Sequence, residues 1–154
     1  MEDERKTQIQ EIFPNLSIAG EYEATSLETD AYNCIAWALY DTQHWWWPTQ
    51  QFGSFWLPQV PRNNSIAALV MIFQMNGYKV CESSDLEPGF EKVALYQIDP
   101  ESGVEHASRQ LQNGEWTSKL GEWEDIRHKS AQSVECEDYG KVAQVLKRRR
   151  LEWD

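Results

Sequence analysis

The chain has 154 residues, enough for one domain with a packed core and little room for two. Fourteen basic against twenty-five acidic residues leave a net charge of −11. That surplus repels phosphate backbones and anionic lipid, which disfavours nucleic acid and membrane surfaces as partners. Hydrophobic residues make up 41% and eight residues are Trp, a composition of folded rather than disordered chains.

The opening Met1-Glu2-Asp3-Glu4-Arg5-Lys6 is charged and no apolar stretch follows it, so no signal peptide is expected. No apolar run approaches the ~18 residues that span a bilayer. Cys34, Cys81 and Cys136 are an odd count and read as free thiols in a reducing compartment. The expectation is a cytoplasmic protein of one domain, with residues 1–24 as an extension, 25–130 as the core and 138–150 as a final helix.

In chain order, residues 3–12 predict a short polar helix stopped by Pro14. Asp30 is placed to cap a helix from Ala31 to Tyr40 that is apolar almost all round, hence a core helix. Residues 41–62 hold four Trp and three Pro without a period and predict an ordered loop. Asn63 or Asn64 can cap a helix over Ser65–Asn76, whose Ile66, Leu69, Val70 and Phe73 fall at helical spacing. Tyr78–Cys81 reads as a short strand, and 91–98, 104–111 and 115–120 as three more joined by hairpins. Helices are expected over 122–133 and 138–150, with Lys147, Arg148, Arg149 and Arg150 as a solvated helix end. The class is α+β.

Cys34 falls in the first turn of the expected core helix, where unpaired N–H groups favour a thiolate, the form that attacks carbonyls. Its base must lie within hydrogen-bond reach. His44 sits ten residues on, about 15 Å along a helix at 1.5 Å per residue. His128 falls in an ill-defined helical stretch, whereas His106 opens a strand that can pack on the Cys34 helix. The candidate pair is Cys34 and His106. By composition alone Cys34 is also read as an inert core thiol and His106 as a structural imidazole. No zinc-type spacing, glycine-rich phosphate loop or nucleophile elbow appears, so no metal or other cofactor is expected. The loop Trp45-Trp46-Trp47-Pro48 reads either as a lid on the core or as flat walls for a peptide or sugar.

The order of a Cys-bearing helix (Tyr32-Asn33-Cys34-Ile35-Ala36-Trp37-Ala38), a second helix and a meander whose middle strand opens with His106 resembles the NlpC-like branch of the papain-like cysteine hydrolases. The strings Tyr32–Ala38, Trp45–Pro48 and Trp116–Gly121 are also similar to an uncharacterised group of bacterial proteins. The first resemblance implies a papain-like fold, a core helix on a small antiparallel sheet. It also implies a cofactor-free hydrolase or acyl transferase acting on a peptide, isopeptide or cell-wall-type amide. If Gln112-Asn113-Gly114 is a three-residue loop, Ser118 stands where that family orients its imidazole; a two-residue loop puts Thr117 and Lys119 there instead. Gln43 and Asp125 are the alternatives from outside the strand. The catalytic set is thus Cys34, His106 and Ser118, with Tyr32 as an oxyanion donor beside the Cys34 N–H and Trp45, Trp46 and Trp47 on the substrate. The competing expectation is a catalytically inactive interaction module of immunity or adaptor type that binds a protein partner through the Trp loop. A redox role for Cys81 or Cys136 is a third and weaker reading.

Overall fold

A computed structural model describes residues 2–19, 22–49 and 53–150. Its frame is a seven-stranded sheet in the order β1-β6-β5-β4-β3-β7-β2, every named pairing antiparallel. The strands are β1 (Tyr22–Ala24), β2 (Lys79–Cys81), β3 (Phe90–Gln97), β4 (His106–Gln110), β5 (Trp116–Lys119), β6 (Asp125–His128) and β7 (Lys141–Arg149). The helices are α1 (Glu2–Ile12), α2 (Pro14–Ala19), α3 (Cys34–Ala38) and α4 (Ile66–Met75), with a 3₁₀ turn at Ala131–Val134.

This overturns the expected papain-like arrangement of a long helix on a small sheet. The sheet is the body of the molecule, and the helix bearing Cys34 has only five residues. Both faces of the sheet are covered. Ile35, Ala38, Leu69, Ile72 and Phe73 of α3 and α4 pack on Val93, Leu95, Ala107 and Leu146. Ile9 of α1, Phe13 at the junction between the helices and Leu16 of α2 pack on Ala94, Tyr96, Trp116 and Ile126. Hence β3 reads as an unbroken apolar run, Val93-Ala94-Leu95-Tyr96: successive side chains enter opposite cores.

Two expected helices are strands. Over 122–133 stand β6 and the 3₁₀ turn, and over 138–150 stands β7. The second misreading has a physical cause. The β3–β7 register slips between Leu95 and Tyr96, so Tyr96 pairs Val142 while Leu95 pairs Gln144, and Ala143 is bulged. The bulge puts Val142 and Val145 on one face three residues apart, the spacing of a helix. The basic cluster is therefore no helix end. Lys147 binds Glu87, and Arg148 and Arg150 bind the buried Glu91. α4 is capped by Ser65, whose hydroxyl accepts from Ala68 N–H, and not by Asn63 or Asn64.

Candidate functional site

Asn33 builds one side of the site. Its Oδ1 accepts from the N–H of Ala36 at 3.2 Å, capping α3, and from the N–H of Trp46 at 3.1 Å. Its Nδ2 donates to the Trp46 carbonyl at 2.6 Å. One amide thus starts the helix and clamps the Trp loop onto its first turn, where Asp30 had been expected to cap. A parallel bridge between Trp46 and Phe55 steadies the far side of that loop. Cys34, 9% exposed, lines a cleft of about 220 Å³ with Trp45, Trp47, Glu105, Gly121 and Tyr139.

The peptide N–H groups of Ala107, Ile35 and Cys34 favour the thiolate electrostatically. Burial outweighs them and pushes the thiol up to about 11. The expected helix-terminal thiolate is thus not the resting form, because α3 is a single turn deep in the core. Lys119 lies electrostatically near the sulfur, but its Nζ gives its protons to the carbonyls of Thr29, Gly121 and Trp123 at 2.6, 2.5 and 2.7 Å.

His106 opens β4. Ala107 beside it faces α3, so the imidazole leaves the strand from the other side. There it stacks on Tyr139 with ring centroids 4.0 Å apart and planes 5° from parallel. Nε2 lies 3.0 Å from Ser118 Oγ, which lies 2.8 Å from His128 Nε2, and His128 Nδ1 lies 2.8 Å from the Ser130 carbonyl. This chain has a direction. A carbonyl only accepts, so His128 carries its proton on Nδ1. Burial lowers both imidazoles, His128 to about 4 and His106 well below its usual range, so both rings are neutral at pH 7. His128 Nε2 then accepts from the Ser118 hydroxyl, whose oxygen accepts from His106 Nε2–H. The bare lone pair of His106 is on Nδ1, which is buried without a hydrogen-bond partner.

Ser118 reaches this position because the β4–β5 loop takes the three-residue form. Leu111 N–H donates to Glu115 O at 2.7 Å and Gly114 adopts φ 91°. Thr117 and Lys119 accordingly turn to the α3 side, where Thr117 Oγ1 accepts from Trp37 Nε1. Cys34 lies on the α3 side of β4 and the His106 ring on the other; Tyr139 borders the Cys34 cleft and stacks on the ring, and no hydrogen bond joins sulfur and imidazole.

Other expected site residues fall elsewhere. The Tyr32 hydroxyl donates to Asp125 Oδ2 at 2.7 Å and is not free for an oxyanion. Trp46 is a core residue with its Nε1 on Asp41 Oδ2; only Trp45 and Trp47 of the triplet border the cleft. Gln43 is exposed beside Thr42, so neither it nor Asp125 orients His106. His128 was missed. Asp125-Ile126-Arg127-His128 does carry a strand-like alternation around Ile126, but four residues are too few to outweigh a helical reading. Among the described residues no three His, Cys, Asp or Glu side chains converge as a metal site would need, and no helix is long and apolar enough to cross a membrane.

A family model described as a domain of unknown function (DUF7689) matches residues 23–147. The chain belongs to this family. The DUF7689 segment runs from β1 into β7 and contains Asn33, Cys34, His106, Ser118, His128 and Tyr139, while α1 and α2 precede it. No curated protein and no solved structure matches the chain.

Proposed function

We propose that this DUF7689 chain is a cofactor-free cysteine hydrolase or acyl transferase acting on an amide bond. The carrying observation is the Cys34 thiol in a cleft walled by Trp45, Trp47 and Tyr139, with Tyr139 stacked on His106, whose buried Nδ1 has no hydrogen-bond partner. Leaving a buried acceptor unpaired costs about 1–3 kcal/mol, and a waiting proton acceptor accounts for that cost. The resting pair is a neutral thiol and a neutral imidazole, so the base acts during attack rather than before it.

In the first step the Cys34 sulfur bonds to the carbonyl carbon as its proton passes to His106 Nδ1. The N–H groups at the start of α3 face the negative oxygen. The C–N bond then breaks, and the leaving amine takes the proton from Nδ1. Water, or a second amine in acyl transfer, attacks the thioester, gives its proton to Nδ1, and the sulfur leaves and recovers that proton. Ser118 and His128 hold the ring in the tautomer this needs.

The test is to incubate the protein with an N-blocked aminoacyl p-nitrophenyl ester and locate the acyl group by peptide mass mapping. A thioester on Cys34 is expected, absent in Cys34→Ala and formed at least ~100-fold more slowly in His106→Gln. Equal p-nitrophenol release by wild type and Cys34→Ala, with no acyl-Cys34, ends the proposal. The half-buried Trp45 and Trp47 favour a second reading, a binding module; there Trp45→Ala removes the biological effect and Cys34→Ala does not.

A further inference from the structure

Tyr139 touches both halves of the proposed site. Its ring stacks on His106 with planes 5° from parallel, and it borders the cleft that holds Cys34. Its position is fixed from the backbone outward. Gly140 N–H donates to the Cys136 carbonyl at 2.8 Å and Cys136 N–H to the Gly140 carbonyl at 3.3 Å, closing the turn that carries the ring. Gly140 adopts φ 77° at a point where a Cβ would strike the Gln97 carbonyl, so the turn is seated hard against β3. Phe13 packs against the phenol with ring centroids 5.2 Å apart.

The hydroxyl is the part of this side chain that the packing leaves unused. Tyr32 donates to Asp125, Tyr40 and Tyr78 donate to Glu91, and Tyr96 donates to the Ala131 carbonyl. The Tyr139 O–H has no acceptor among the described residues. Burial, and after it the charge of a Cys34 thiolate, raise the phenol well above its usual range, so it keeps its proton at neutral pH. Acyl transfer needs such a proton. Donors must be fixed in advance around the carbonyl oxygen, where negative charge develops. The N–H groups at the start of α3 lack the side-chain donor expected beside them, because Tyr32 is spent on Asp125.

Resting on the cysteine mechanism above, we infer that the Tyr139 hydroxyl is the side-chain oxyanion donor of this site, a catalytic residue that hydrogen-bonds the amide oxygen while Cys34 attacks. As the S–C bond forms, the carbonyl π pair moves onto the oxygen. Tyr139 donates a hydrogen bond to it without losing its proton, and the pair re-forms the carbonyl when the amine leaves.

Tyr139→Phe keeps the ring on His106 and removes only a hydroxyl that no described hydrogen bond uses. Two reactions of Cys34 are timed in wild type and variant. Acylation by the N-blocked aminoacyl p-nitrophenyl ester passes through an oxyanion; alkylation by iodoacetamide does not. Acylation is expected to slow roughly 100-fold in the variant while alkylation keeps its rate. Equal acylation in the two proteins overturns the inference. Equal slowing of both reactions overturns it too, since the phenol then acts on the thiol or the imidazole. Wild type separates the two claims: no acyl-Cys34 there removes the mechanism and this inference together, whereas acyl-Cys34 formed equally fast in Tyr139→Phe removes Tyr139 alone.

Discussion

Ser118 Oγ accepts from His106 Nε2 at 3.0 Å while donating to His128 Nε2 at 2.8 Å, so one buried hydroxyl sets the tautomer of the candidate base. Ser118→Ala removes both bonds and strands two imidazole nitrogens in the core. A loss of about 2–4 kcal/mol is expected, read as a lower urea midpoint. Freed of its acceptor, His106 no longer favours Nε2–H, and acylation of Cys34 slows beyond the fraction unfolded. Unchanged acylation per folded molecule removes Ser118 as a positioning residue.

Stability falls as acid is added through the imidazole range. An unfolded histidine takes a proton near 6.5, whereas folded His128 does so only at about 4 and His106 well below 6.5. Between those values the unfolded chain binds more protons, so the stability present above 6.5 is lost as pH falls toward the folded values. Two such groups cost roughly 2–3 kcal/mol between about pH 7 and 5.5, above the range where carboxylates titrate. Urea unfolding at a series of pH values measures this, and a flat profile contradicts two buried neutral rings.

Asn33→Ala removes the α3 cap and both bonds to the Trp46 backbone. The cap is worth about 1 kcal/mol and the clamp a similar amount per bond. A loss of about 2–3 kcal/mol is expected together with a red-shifted tryptophan emission as the loop leaves Cys34. Loss of stability with unaltered emission means the clamp does not hold the loop.

Lys119→Met leaves the carbonyls of Thr29, Gly121 and Trp123 without their donor. At the low end of about 1 kcal/mol for each stranded group, the expected loss is about 3 kcal/mol. It also removes a cation acting on the sulfur, so the pH at which Cys34 alkylates moves upward from about 11. Alkylation at an unchanged pH shows that Lys119 is a structural post only.

Elements built from neighbouring residues were readable. The helix over 65–76, the strands β3 to β5 and their Asn113-Gly114 turn agree with the structure to within a few residues, because caps, period and turn chemistry are local. The sheet's true extent was not readable. β6 is four residues long, β1 and β2 three each, and the bulge at Ala143 gives β7 a helical spacing. The same gap hid His128, which enters the site only once β6 lies beside β5.

By itself the sequence determined a small acidic chain, a thiol flanked by Asn33 and Ile35, and a hairpin with His106 on one strand and either Ser118 or Thr117 and Lys119 on the same face of the next. Only the tertiary structure decided where the protons lie. The bare nitrogen of His106 is fixed by the Ser130 carbonyl acting through His128 and Ser118, across two strands. The resting thiol is likewise set by how deeply α3 is packed, because desolvation depends on every surrounding atom and on no single neighbour in the chain.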